Sequence, residues 1–117
     1  MNMTMKDKCA VVGVGATDYY PRGQSVPQTT MEMAVKATKA ALDDAGLSVK
    51  DLDGFALYSG APVDPAVLAK EMGVGEVGFA ATLTSGGGGA AGSVGLAAAA
   101  ITAGMANVVV SLITLQQ

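Results

Sequence analysis

Apolar and polar positions change period several times along the 117 residues, and each change marks an element. Residues 8–15, KCAVVGVG, form a continuous apolar run that predicts a first strand covered on both faces. Residues 16–24, ATDYYPRGQ, read as a loop. Ser25-Val-Pro-Gln28 has the form of a capping box, with Ser25 as N-cap and Gln28 at N3. Apolar Met31, Ala34, Val35, Ala41, Leu42 and Ala45 then oppose Glu32, Lys36, Lys39 and Asp43, the spacing of an amphipathic helix that Gly46 ends. Within it, Glu32 and Lys36 have the favourable i,i+4 order. Residues 48–54 read as a polar turn with room for one helical turn, and 55–59, FALYS, as a second strand. Asp64 and Pro65 fit the N-cap and N1 of a helix that stops at Gly73.

A third strand is expected at residues 79–83, FAATL, followed by Thr84, Ser85 and four consecutive glycines, 86–89. Residues 90–103 are alanine-rich and free of proline, and predict a helix. Residues 108–114 predict a fourth strand. The order β-α-β-α-β-α-β indicates an α/β fold with a largely parallel sheet. The last helix has no polar face, so burial on all sides is expected of it. A strand, a glycine turn and a helix in succession present backbone N–H groups at a helix N-terminus. Such an end suits an anion, an oxyanion or an activated nucleophile. The same glycines would also serve close packing where a Cβ would clash, and the two roles are compatible.

Composition narrows the function. The chain has 7 basic and 10 acidic residues, and none of them lies after Glu76. With no basic cluster, three tyrosines and two phenylalanines, nothing favours nucleic acid. Residues 94–115 are long enough to span a bilayer, but Gly104 and Asn107 interrupt them and no basic anchor follows, so no membrane span is expected. Cys9 is the only cysteine, which excludes an internal disulfide framework and fits a reducing compartment. No cleavable signal is expected, because MNMTMKDK is followed by no long apolar core.

Gly13-x-Gly15 reads as a tight turn, since Asp18 stands where a third glycine would be. Gly87, Gly89 and Gly92 spell a literal GxGxxG, but a dinucleotide site wants an acidic residue about twenty positions on, and none exists. No Gly-Lys-Ser/Thr is present for a phosphate loop. Cys9 is expected as a small core residue of the first strand, and Met31 and Met33 as packing residues, with no metal site. Ser85 and Ser93 lack a His or Lys base, since the chain has no histidine and no lysine after Lys70. Tyr19, Tyr20 and Tyr58 fit a surface or a pocket equally.

AVVGVGATDYYPRG, the helix end ALDDAGLSVKDLDGF and FAATLTSGGGGAAGSVGLAAAAITAGMANVVV together resemble the N-terminal part of thiolase-superfamily proteins. The likeness is greatest to the sterol-carrier-protein-x and lipid-transfer-protein branch. It implies a thiolase-like layered fold, with residues 1–117 as an N-terminal domain that is a fragment of a longer chain. True thiolases carry a nucleophilic cysteine at the start of the buried helix. Matching the family's Gly-Ser pair to Gly92-Ser93 puts that cysteine's place at Gly89. A glycine cannot carry an acyl group.

The resemblance therefore points to the members without the nucleophile, thiolase-like aldolases of steroid side-chain degradation that cleave a β-hydroxyacyl-CoA. It implies a coenzyme A thioester as substrate and no cofactor. It implies Ser85, Gly86, Gly87, Gly88 and Gly89 lining the acyl pocket, with N–H groups offered to the substrate carbonyl. It assigns no catalytic residue within this chain, because the family's later half supplies those groups. A homodimer through residues 79–83, an OB-fold protein partner and a cytoplasmic location are implied as well. The alternatives are a thiolase or acetyl-CoA acetyltransferase-type enzyme with another nucleophile, and a non-catalytic acyl-CoA or lipid-binding protein.

Overall fold

The computed structural model describes residues 5–24, 26–58, 63–84 and 88–114. Helix α1 (Thr30–Ala45) begins after Thr29, not after Ser25, which lies outside the described residues. Thr29 Oγ1 accepts the Glu32 N–H at 3.0 Å, and the Glu32 carboxylate accepts the Thr29 N–H at 3.4 Å, a complete capping box. Lys36 Nζ donates to Gln28 Oε1 at 2.9 Å, so the expected N3 residue serves a lysine eight positions further on. Ala34, Thr38 and Leu42, four apart, make the buried stripe of α1. After Gly46 a single 3-10 turn (Val49–Asp51) leads into the sheet.

Strands β1 (Gly54–Tyr58), β2 (Phe79–Leu83) and β3 (Val109–Ile113) form one parallel sheet in the order β2-β1-β3. Helix α2 (Pro65–Met72) joins β1 to β2, with Asp64 Oδ1 accepting the Ala66 N–H at 2.8 Å as its cap. Helix α3 (Gly89–Thr102) carries the chain from β2 back across β1 to β3. These two crossovers run in opposite directions along the sheet, so a common right hand places their helices on opposite faces.

Register then divides the core. Phe55 and Leu57 of β1 stand beside Val110 and Leu112 of β3 and pack with Ala34, Leu42, Leu68 and Met72 from α1 and α2. On the other face Gly54, Ala56 and Ser111 are small, which lets α3 approach through Ser93, Ala97 and Ala100.

This is a small three-stranded parallel sheet with three α-helices, and it corrects the thiolase-like layered β-α-β-α-β-α-β half expected from the sequence. The first apolar run forms no strand. It lies against α1 instead: the Val14 N–H donates to Asp44 Oδ2 at 2.8 Å, and a Cβ at Gly13 or Gly15 would overlap the Ala41 backbone. Glycine permits that close approach, and an N–H given to Asp44 is lost to a strand ladder. Val11, Val12 and Val14 are left 75%, 63% and 71% exposed. Nor is α3 buried on all sides, because Ala91, Val94, Gly95 and Ala99 are exposed, and no described element covers them.

Asp53 ties the starts of all three strands together. Its carboxylate accepts the Asn107 N–H at 2.9 Å and the Val108 N–H at 2.8 Å, its carbonyl accepts the Gly78 N–H at 2.7 Å, and its N–H donates to the Val108 carbonyl at 3.1 Å. Deleting the carboxylate leaves two backbone donors without their partner, so Asp53→Ala is expected to lose about 1–3 kcal/mol of stability. Asp53→Asn keeps one acceptor oxygen and should lose less. Denaturant midpoints of the three proteins at neutral pH check this, and an alanine variant as stable as the parent would contradict it.

Candidate functional site

Three parallel strands end on one edge, at Tyr58, Leu83 and Ile113, and open parallel sheets bind ligands outside the carboxyl ends of their strands. Helix α3 begins at that edge. Gly88 is its N-cap (φ −83°, ψ −10°), no side chain among the described residues caps it, and its first turn contains no acidic residue. The Gly92 N–H donates to the Gly88 carbonyl at 2.9 Å. The first N–H groups of a helix have no partner within it, so an uncapped start offers them outward with the positive end of the dipole.

The glycines here differ in role. A Cβ at Gly92 would stand 2.7 Å from Leu83 Cδ2, so Gly92 is needed for packing against β2. At Gly88 a Cβ would meet nothing within 4 Å, so packing does not explain that glycine. Gly89 is the first residue of α3. Ser85, Gly86 and Gly87, the rest of the expected pocket lining, lie outside the described residues.

Other sequence candidates are dispersed. Ser93 is buried, donates to the Ala90 carbonyl at 2.7 Å and lies 2.6 Å from Ser111 Oγ, the contacts of a structural hydroxyl. Tyr58 stands half-buried at the carboxyl edge, Tyr20 is half-buried in the N-terminal segment, and Tyr19 is almost fully exposed. Cys9 is exposed and belongs to no strand, which corrects its expected place in the core. Nothing at the carboxyl edge requires its thiol, and Cys9→Ser is expected to leave turnover unchanged. A fall of several orders of magnitude at unchanged stability would show otherwise.

A cleft of about 240 Å³ opens between α1, the N-terminal segment and the end of β3, lined by Gly15, Thr17, Met33, Ala37, Ser111 and Thr114 among others. No local pattern announces it, because it exists only where three remote segments meet. Its volume is below the 300–1,000 Å³ usual for small-molecule sites. Among the described residues no three His, Cys, Asp or Glu side chains gather, and no helix is long and apolar enough to cross a membrane.

No known protein family matches the chain. Individual proteins do. The chain is 35% identical over 107 residues to a 17-hydroxy-3-oxo-4-pregnene-20-carboxyl-CoA lyase of Mycobacterium tuberculosis (strain ATCC 25618 / H37Rv), covering 92% of this chain and 27% of that protein. It is 35% identical over 101 residues to a steroid side-chain-cleaving aldolase of Thermomonospora curvata, covering 86% of this chain and 25% of that protein. Among solved structures it matches a chain of an Ltp2-ChsH2(DUF35) aldolase with a TM-score of 0.77 and 34% identity, over 86% of this chain and 25% of that one. The chain thus spans about a quarter of the length of these relatives. They correct the expected relationship. It is steroid side-chain-cleaving aldolases, and not the sterol-carrier-protein-x and lipid-transfer-protein branch of the thiolases, that stand beside this chain over nearly its whole length.

Proposed function

We propose that this chain is the N-terminal domain of a carbon–carbon lyase that cleaves a β-hydroxyacyl-CoA on a steroid or similar lipid side chain by a retro-aldol reaction. The carrying observation is the 35% identity, over 92% and 86% of the chain, to two proteins named for such cleavage. A hydroxyl on carbon 17 and a thioester on carbon 20, as in the name of the first, stand in the β-hydroxyacyl relationship that a retro-aldol step requires. In that step a base takes the hydroxyl proton, a ketone forms at the hydroxyl-bearing carbon, and its bond to the α-carbon breaks. The electron pair moves into the thioester as an enolate, and a proton then returns to the α-carbon. The products are a ketone and a shortened acyl-CoA.

Negative charge develops on the thioester oxygen, so fixed N–H donors nearby lower the barrier. The uncapped start of α3 is our choice for them, with Ser85, Gly86, Gly87, Gly88 and Gly89 lining the acyl group. The chemistry needs no covalent acyl-enzyme, consistent with glycine at Gly89 and a structural hydroxyl at Ser93. The base and most of the steroid pocket come from the remainder of the longer protein. A second protein, as in the two-component name of the structural relative, completes the assembly, and an OB-fold is our proposal for it. Two copies would pair along the free edge of β2, and the location would be the cytoplasm.

The test is to incubate the full-length protein, with and without its partner, with a steroid acyl-CoA bearing a β-hydroxyl and to follow the products by mass spectrometry. Equimolar ketosteroid and shortened acyl-CoA are expected. Tight binding of the thioester without cleavage would instead make this a carrier.

A further inference from the structure

The buried hydroxyl of Ser93 has one proton, and its 2.7 Å bond to the Ala90 carbonyl uses it, since a carbonyl only accepts. While that bond is kept, the proton in the 2.6 Å contact between Ser93 Oγ and Ser111 Oγ comes from Ser111. The hydrogen bonds form a directed chain, from Ser111 on β3 to Ser93 and on to the Ala90 carbonyl in the first turn of α3. Ser93 is 2% exposed and Ser111, on β3, is exposed, so the contact is buried at its helix end. Around this chain the contacts between α3 and the sheet are small and apolar, Ala56, Ala97 and Ala100, which resist sliding weakly. A directional bond at the first turn resists it more strongly.

We infer that Ser111 and Ser93 are positioning residues that latch the start of α3 to β3 and hold its N–H groups in register with the carboxyl edge. The inference rests on the lyase reading above and adds to it Ser93, four residues beyond the glycine turn, and Ser111, remote from it in sequence. The role assigned to the two hydroxyls is indirect. Their effect is on where the donors point, and donors aimed at a developing oxyanion act on the transition state more than on the bound substrate. Loss of the latch should therefore lower kcat and leave KM nearly unchanged.

The experiment compares Ser111→Thr with Ser111→Val in the full-length protein, two β-branched side chains of similar shape of which only threonine keeps the donor. The parent is assayed first. If it cleaves no β-hydroxyacyl-CoA, the lyase reading fails and takes the latch's role with it. If the parent cleaves, Ser111→Thr is expected to stay within about threefold of it, while Ser111→Val loses about 10–100-fold in kcat with KM within threefold, the scale of a misaimed donor. Amide exchange at Gly92 should quicken in the valine variant alone, which shows that the first turn has loosened. Equal kcat for the threonine and valine variants, or a loss confined to KM, would overturn the inference. Should Ser111→Val fold poorly, Ser93→Ala, which opens the same chain from the helix side, decides by the same kcat and KM criteria.

Discussion

The 117-residue chain on its own is expected to sediment as dimers or larger assemblies, not as a compact monomer. Its accessible surface is 7346 Å², whereas a folded monomer of 11.5 kDa exposes about 5,800 Å² by the usual size scaling. The excess, about 1,500 Å², is about twice what one partner buries in a standard protein–protein contact. Much of what is exposed is apolar. On α3 the open side carries Ala91, Val94 and Ala99, Val94 being 48% exposed, and Ile113 and Met105 add 44% and 55% exposed side chains. Among the described residues β2 is paired along one edge, with β1, so its other edge offers a row of backbone groups to a second chain. Burying this apolar surface favours association, opposed by the translational and ordering costs that any contact between chains must meet. Sedimentation velocity over a concentration series measures this directly. A sharp monomer boundary together with cooperative unfolding would show that the open face of α3 is stable in water.

What could be read from the sequence follows from which interactions are local. Asp64-Pro65 and Gly73 bracket α2 because a cap, a fixed φ and a left-handed stop act within one helix turn. Strands at Phe55, Phe79 and Val109 stand out because β-branched and aromatic runs between turns need no knowledge of their neighbours. Residues 8–15 look equally strand-like, yet form none, because Asp44 thirty positions away takes the Val14 N–H and the two glycines fit the α1 backbone. The apolar pattern of α3 correctly marks a helix, but it carries no information on how many of its sides this chain covers. At the site, the side-chain-free helix start is visible as a run of glycines, and packing then separates Gly92 from Gly88. The Ser111–Ser93 chain and the cleft beside β3 depend on contacts between remote segments, which no local pattern encodes.

Gly89→Cys should acquire an acidic thiol if the start of α3 is a preformed anion site. The substitution places sulfur on the first residue of an uncapped helix, beside N–H groups that have no intrahelical partner. Those donors and the dipole favour thiolate over thiol and pull its pKa below the ordinary value of about 8.5. An apolar surround acts in the opposite sense, because it disfavours the anion. Which effect wins depends on whether the donors converge on the sulfur, and that convergence is also what a thioester enolate would need. The measurement uses the full-length protein with Cys9→Ser in the same background and any other reactive cysteine removed, so that one thiol reports, and follows alkylation rate against pH. An apparent pKa lowered by a unit or more, about 1.4 kcal/mol in favour of the anion, is the expected result. A value at or above about 8.5 in a folded protein would reject the anion site and, with it, the start of α3 as the donor to the enolate. If the variant does not fold, Gly88→Cys moves the reporter to the N-cap, where a Cβ meets nothing within 4 Å and the same two outcomes decide.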